Sequence, residues 1–238
     1  MPAGADVATN LADVRRRIDT AAGRAMRDPS AITLVAVSKT FDASFVREAA
    51  AAGQRHFGEN RVQEALEKST ALGDLALEWH LIGHLQSNKA RKAATGFGWI
   101  QSVDRLDLLT KLDAAAAELG TRPNILLQVN LAHEEAKSGA DEAAIADLVR
   151  AATGARALLL RGLMIIPPIP DDAEASRPWF RRLRELRDRL IASGVPAASL
   201  AELSMGMSQD FEVAIEEGAT IVRVGTAIFG LRPTPTTP

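Results

Sequence analysis

The segment Ile32-Thr33-Leu34-Val35-Ala36-Val37 carries no charge and runs directly into Ser38-Lys39. A short continuous apolar run reads as a strand covered on both faces, the situation of a parallel sheet packed between helices. Further strands are predicted at residues 54–58, 79–83, 99–103, 125–130, 158–166, 200–204 and 220–224, several of them continuous apolar runs as well. Amphipathic stretches separate them. One helix is predicted to begin near Asp104, whose side chain would cap it. A second spans 141–152 with Ile145, Leu148, Val149 and Ala152 on one face, and a third carries Trp179, Leu183, Leu186 and Leu190. The last begins near Ser208 and stops at Gly218, a residue suited to the position after a helix end. Ahead of the first strand, Leu11, Val14, Ile18, Ala21 and Ala25 recur at helical spacing until Asp28-Pro29.

Strand–helix units of this number in 238 residues match a single α/β domain of the (β/α)8 TIM barrel type, which needs about 250 residues, with an extra N-terminal helix. Strand count alone does not show closure, so a doubly wound open sheet is the rival. No internal linker is seen, and one domain is expected over 1–231. The Pro-Thr alternation of 232–238 predicts a flexible tail.

Hydrophobic residues make up 47%, charged residues 24%, and the formal net charge is -2. That balance speaks against binding driven by attraction to nucleic acid or an anionic membrane. No apolar stretch approaches the ~18 residues of a membrane helix, and the polar N-terminus does not read as a secretory signal. The chain has no cysteine and no tyrosine. A soluble, cytoplasmic protein is expected, acting as a monomer without nucleic-acid or membrane partners.

In a barrel, chemistry gathers where strands end. Those positions hold Lys39, Glu59, Asn60, His84, Ser102, Asn130, Ser204, Arg223, Gly225 and Thr226, with Met164 and Pro167-Pro168 expected to follow the sixth strand. A lysine there either reaches solvent or lies against apolar walls, where burial would disfavour its charge and make the amine nucleophilic. Ser204-Met205-Gly206-Met207-Ser208 and Gly225-Thr226 offer backbone amides and hydroxyls to an anion after the seventh and eighth strands, where barrels most often build phosphate sites. Arg223 either pairs with a carboxylate or serves that site. His80 and His84 are four apart, while His56 and His133 form no evident cluster with them, so no metal site is expected. The basic stretch 181–189 reads as a solvated helix face.

These segments together resemble one family. Ala36-Val37-Ser38-Lys39-Thr40, Phe57-Gly58-Glu59-Asn60 with Val62-Gln63-Glu64, and the run from Trp79 through His80, His84 and Asn88 to Lys89 are similar to the pyridoxal phosphate homeostasis proteins, the YggS/PROSC family. So are Val129-Asn130 followed by Lys137-Ser138-Gly139, Gly162-Leu163-Met164, Leu203-Ser204-Met205-Gly206-Met207-Ser208, and Val222-Arg223-Val224-Gly225-Thr226-Ala227-Ile228-Phe229-Gly230. The resemblance covers nearly the whole chain in order. It implies a barrel like the N-terminal domain of alanine racemase, with pyridoxal 5′-phosphate (PLP) held by Lys39 as a Schiff base. It further implies Arg223 at the ring nitrogen, Ser204, Gly225 and Thr226 at the phosphate, and Asn60 beside the ring; Met164 and Gly206 complete the expected cofactor-binding set. Arg61 stands where the family often has tyrosine, and the residues after Gly230 depart from its usual finish.

The function implied is a non-catalytic PLP carrier in vitamin B6 homeostasis, with apo PLP-dependent enzymes as acceptors. The alternative is a PLP enzyme such as an amino-acid racemase; a third reading is a phosphate-binding barrel without PLP. Racemisation needs a second positioned acid/base beside the lysine, and the tyrosine or cysteine that related enzymes use is missing from this composition.

Overall fold

The computed structural model describes residues 6–132, 138–169 and 171–231. Its eight strands are β1 (Thr33–Val37), β2 (His56–Glu59), β3 (Glu78–Leu81), β4 (Trp99–Val103), β5 (Asn124–Val129), β6 (Leu159–Ile165), β7 (Glu202–Ser204) and β8 (Ile221–Val224). Each pairs in parallel with the next, and β8 pairs with β1 through Leu34 opposite Val222 and Val35 opposite Arg223. The barrel is closed, which removes the open sheet from consideration.

The helices lie outside: α1 (Val7–Arg24), α2 (Ala43–Ala51), α3 (Val62–Ala71), α4 (Ala90–Gly96), α5 (Leu106–Leu119), α6 (Glu142–Thr153), α7 (Arg177–Ala192), α8 (Phe211–Glu216) and α9 (Thr226–Phe229). The predicted N-terminal helix is α1. It starts at the Asp6 cap, which accepts the Thr9 amide at 3.1 Å, and ends at Arg24, before Asp28-Pro29. Val7, Leu11, Val14 and Ile18 are buried, and the helix packs against α2, α8 and α9.

Two helix starts differ from the sequence expectation. α5 begins at Leu106 after Arg105, and Asp104 does not cap it; its carboxylate instead accepts from Arg105 at 2.7 Å. α8 begins at Phe211 rather than near Ser208, because Asp210 ties down the preceding loop by accepting the Met207 amide. Gly218 does follow the end of α8, in the left-handed conformation at φ 104°. In α7, Phe180 joins Leu183, Leu186 and Leu190 in the buried face, while Trp179 is only partly buried.

Because strand side chains alternate, one set faces the helices and the other the barrel interior. The first includes Leu34, Ala36, Phe57, Leu81, Ile125, Leu127 and Leu203, all in the large apolar cluster shared with the helices. A separate inner cluster contains Val35, Leu126, Met164 and Ile221. The same interior carries buried polar groups, His80, Gln101, Gln128, Ser204 and Arg223. Burying these groups is unfavourable unless they bond to each other. The tail at 232–238, His133 and Lys137 lie outside the described residues.

Candidate functional site

Lys39 follows β1 at the strands' C-terminal end and is half-buried. The turn that presents it is strained: Thr40, a β-branched residue, has φ 70°. Such strain persists only where neighbours over-determine it. Here the Thr40 amide donates to Glu64 Oε1 at 2.7 Å. Lys68 Nζ donates to Ser38 O at 2.8 Å, Glu59 Oε1 at 2.7 Å and Glu64 Oε1 at 2.8 Å. Ser38 Oγ donates to the same Glu59 oxygen at 2.7 Å. Glu59 therefore faces α3 behind the lysine turn and is not one of the groups lining the mouth. Burial pushes its pKa up, against the pull of Lys68 and Ser38. Glu64, less buried, is held below its usual value: burial opposes this, and the Lys68 and Thr40 hydrogen bonds outweigh it.

On β8, next to β1, Arg223 is 3% exposed. It donates through Nη1 to Ser204 Oγ at 2.6 Å and through Nη2 to Ile165 O at 2.9 Å. Among the described residues it has no ion-pair partner, so the carboxylate pairing open to a buried arginine is not what holds it. Burial lowers its pKa to about 10, with the charge of Asp210 acting in the opposite direction. It remains a cation at neutral pH.

Just beyond, the chain turns at Gly225 into α9, and the amides of Gly225 and Ala227 converge on Ser208 Oγ at 3.2 and 3.3 Å. Gly225 lies close against β1: a Cβ there would sit 3.2 Å from Val37 O. The amide pair is thereby placed beside the strand that delivers Lys39. Gly206 makes the loop possible. Its φ is 92°, and a Cβ would come within 2.6 Å of Ala214 Cβ and 2.9 Å of Phe211 Cα. Gly206→Ala is expected to destabilise the fold by at least about 1 kcal/mol, read as a lower thermal midpoint with the Lys39 side of the mouth unchanged.

The remaining positions separate. Asn60 is half-buried at the end of β2, and its backbone packs against Gly83 so closely that a Cβ on Gly83 would be 2.4 Å from Asn60 O. Ser102 Oγ donates to Gly83 O at 2.7 Å. His84 Nδ1 lies 2.9 Å from Ser138 Oγ and 3.8 Å from Asp104, at the mouth as anticipated. Met164 lies within β6, fully buried in the inner cluster. Arg61 is exposed at the start of α3.

Ser204 is not the hydroxyl on the amide pair. Its Oγ bonds Arg223 and Gln101, the latter at 2.6 Å, and the loop hydroxyl that reaches Gly225 is that of Ser208. Ser204 ends β7 and Ser208 lies in the glycine-containing loop that follows it, and strand alternation, which turns Ser204 inward, is the signal that separates them. Nor is His56 isolated: its Nδ1 is 3.0 Å from His80 Nε2 on the neighbouring strand. Among the described residues no group of three or more His, Asp or Glu side chains is arranged to hold a metal.

The alanine racemase N-terminal domain family matches residues 9–233. The chain is 48% identical over 227 residues to the pyridoxal phosphate homeostasis protein of Pseudomonas aeruginosa, covering 95% of this chain and 96% of that one. It is 46% identical over 231 residues to the Escherichia coli K12 protein of the same name, covering 95% and 97%. Among solved structures, PipY of Synechococcus elongatus PCC7942 with PLP bound superposes with a TM-score of 0.83 at 44% identity, covering 94% of this chain and all (100%) of that one. An alanine racemase from Clostridium difficile superposes with a TM-score of 0.74 at 14% identity, over 97% of this chain and 58% of that one, and shares the fold.

Proposed function

The chain belongs to the alanine racemase N-terminal domain family, among its pyridoxal phosphate homeostasis members, and on that premise we propose that it binds PLP reversibly at the barrel mouth and passes it on. The donors present suit the group. Two backbone amides converging on one hydroxyl oxygen at a helix start form an arrangement that favours a phosphate. A buried arginine without an ion-pair partner among the described residues suits an acceptor nitrogen. The observation that carries this reading is the packing of Gly225 on Val37, which sets the amide pair beside the Lys39 strand.

In this reading Ser208, Gly225, Thr226 and Ala227 hold the phosphate, and Gly206 shapes their loop. Arg223 faces the ring nitrogen and, always charged, keeps it from taking a proton. Asn60 lies beside the ring, Met164 contributes to the apolar floor, and Ser204 supports Arg223 from below. When bound, the cofactor supplies an aldehyde that condenses reversibly with a primary amine with loss of water; Lys39 Nζ is that amine. The Thr40 turn, clamped by Glu64 and Lys68, fixes where the amine emerges.

The composition leaves no tyrosine or cysteine to serve as a second acid/base, and the relatives are named for homeostasis. We therefore assign a carrier role in the cytoplasm, with apo PLP-dependent enzymes as acceptors. No helix is long and apolar enough to cross a membrane among the described residues. The test is a transfer assay: loaded protein should restore activity to an apo-enzyme while showing no turnover on a panel of amino acids. Lys39-dependent racemisation would overturn the carrier reading. Ser208→Ala is expected to weaken PLP binding about tenfold, the worth of one hydrogen bond to a charged group. Binding of pyridoxal, which lacks the phosphate, should be little changed.

A further inference from the structure

Arg223 stands at one end of a line of hydrogen bonds that crosses the barrel interior. Its Nη1 meets Ser204 Oγ at 2.6 Å, Ser204 Oγ meets Gln101 Oε1 at 2.6 Å, Gln101 Nε2 meets His80 Nδ1 at 2.9 Å, and His80 Nε2 meets His56 Nδ1 at 3.0 Å. Ser204, Gln101 and His80 are fully buried, and the His80 ring is stacked on Trp99 at 10° with centroids 5.4 Å apart.

The direction of this line is dictated by chemistry. A guanidinium only donates, so Ser204 Oγ accepts from Arg223 and must send its own proton to Gln101 Oε1. The Gln101 amide is thereby oriented with its NH2 towards His80, whose Nδ1 must be the acceptor. His80 then carries its single proton on Nε2 and gives it to His56 Nδ1. Reversal is barred, because no member can donate back to the arginine.

We propose that Ser204, Gln101 and His80 are positioning residues for Arg223, a one-way hydrogen-bonded strut that aims the guanidinium at the cofactor's ring nitrogen. This rests on the PLP reading above. None of Gln101, His80 and His56 is needed to touch the cofactor; they act through Arg223.

The test has two arms. In cofactor-free protein labelled with nitrogen-15, His80 should be neutral, with its proton on Nε2 throughout the neutral pH range; a proton on Nδ1 would overturn the strut. In PLP-loaded protein, Gln101→Met removes both the acceptor for Ser204 and the donor to His80. It should weaken PLP binding about tenfold and shift the absorbance maximum of the lysine-bound cofactor, with Lys39 still linked. A folded Gln101→Met variant with wild-type spectrum and affinity would overturn the positioning role. Should that variant fail to fold, Ser204→Ala carries the same expectation and the same refutation. A wild-type protein that takes up no PLP would sink the cofactor reading and with it the ring-nitrogen role, whereas the His80 tautomer judges the strut by itself.

Discussion

Lys39→Ala is expected to abolish the absorbance band of the lysine-bound cofactor and to weaken PLP retention by about a hundredfold or more. The covalent link depends on one amine, and no backbone donor replaces it. What remains in the variant is the pair of amides of Gly225 and Ala227 on Ser208, proposed above to hold the phosphate, together with Arg223. Weak, non-covalent PLP binding with the spectrum of the free aldehyde should therefore survive. Lys39→Arg should behave in the same way, since a guanidinium keeps the charge but does not condense with the aldehyde. An unchanged band in either variant would remove Lys39 from the account.

The second large effect is on stability. Lys68→Met should lower stability by about 3–5 kcal/mol, the usual consequence of stripping one partner from a buried ion pair, and the thermal midpoint by roughly 10 °C. The Glu59 side chain is 0% exposed and that of Lys68 is 8% exposed, and the second Glu59 oxygen already lacks a partner. Adding Glu59→Gln to Lys68→Met should recover part of the loss, because it removes the stranded charge. If the double variant is no more stable than Lys68→Met, the buried charge is not the source.

The pH dependence follows with its sign. Burial raises the Glu59 pKa above the usual 4.5, so the native state binds that proton more readily than the unfolded chain does. Its contribution is fully present below pH 4.5 and is lost as pH climbs through the raised value. Removing Lys68 raises that pKa further and extends the loss to higher pH. Glu64, held below 4.5, acts in the opposite sense: its contribution is present above 4.5 and is lost as pH falls through the lowered value.

Much of this was readable from residue order. Ile32 to Val37 and the seven later segments located every strand of the barrel, several of them because strands covered on both faces are rich in apolar residues. Closure was not readable, since the pairing of β8 with β1 joins the ends of the chain and leaves no local mark. The interior line depends on that closure: Gln101 and Ser204 meet only across the barrel, and His56 and His80 meet only through the register of β2 with β3. That Ser208 rather than Ser204 meets the Gly225 and Ala227 amides was not legible for a related reason, because a loop's path around a glycine at φ 92° is not written in a period of two. Asp104 was misread as a cap because its partner, Arg105, competes for the carboxylate. The clamp of Lys68 on Ser38, Glu59 and Glu64 was missed because a lysine on a helix face usually points to solvent.

The central claim is that one lysine at this mouth is the reversible tether for PLP. Borohydride reduction of the PLP-loaded protein, followed by peptide mass mapping, tests it most directly. The account predicts a near-stoichiometric phosphopyridoxyl group on the peptide containing Lys39, with no such label on that peptide in Lys39→Arg. Label spread over surface lysines, or a Lys39 peptide left unmodified, would contradict it.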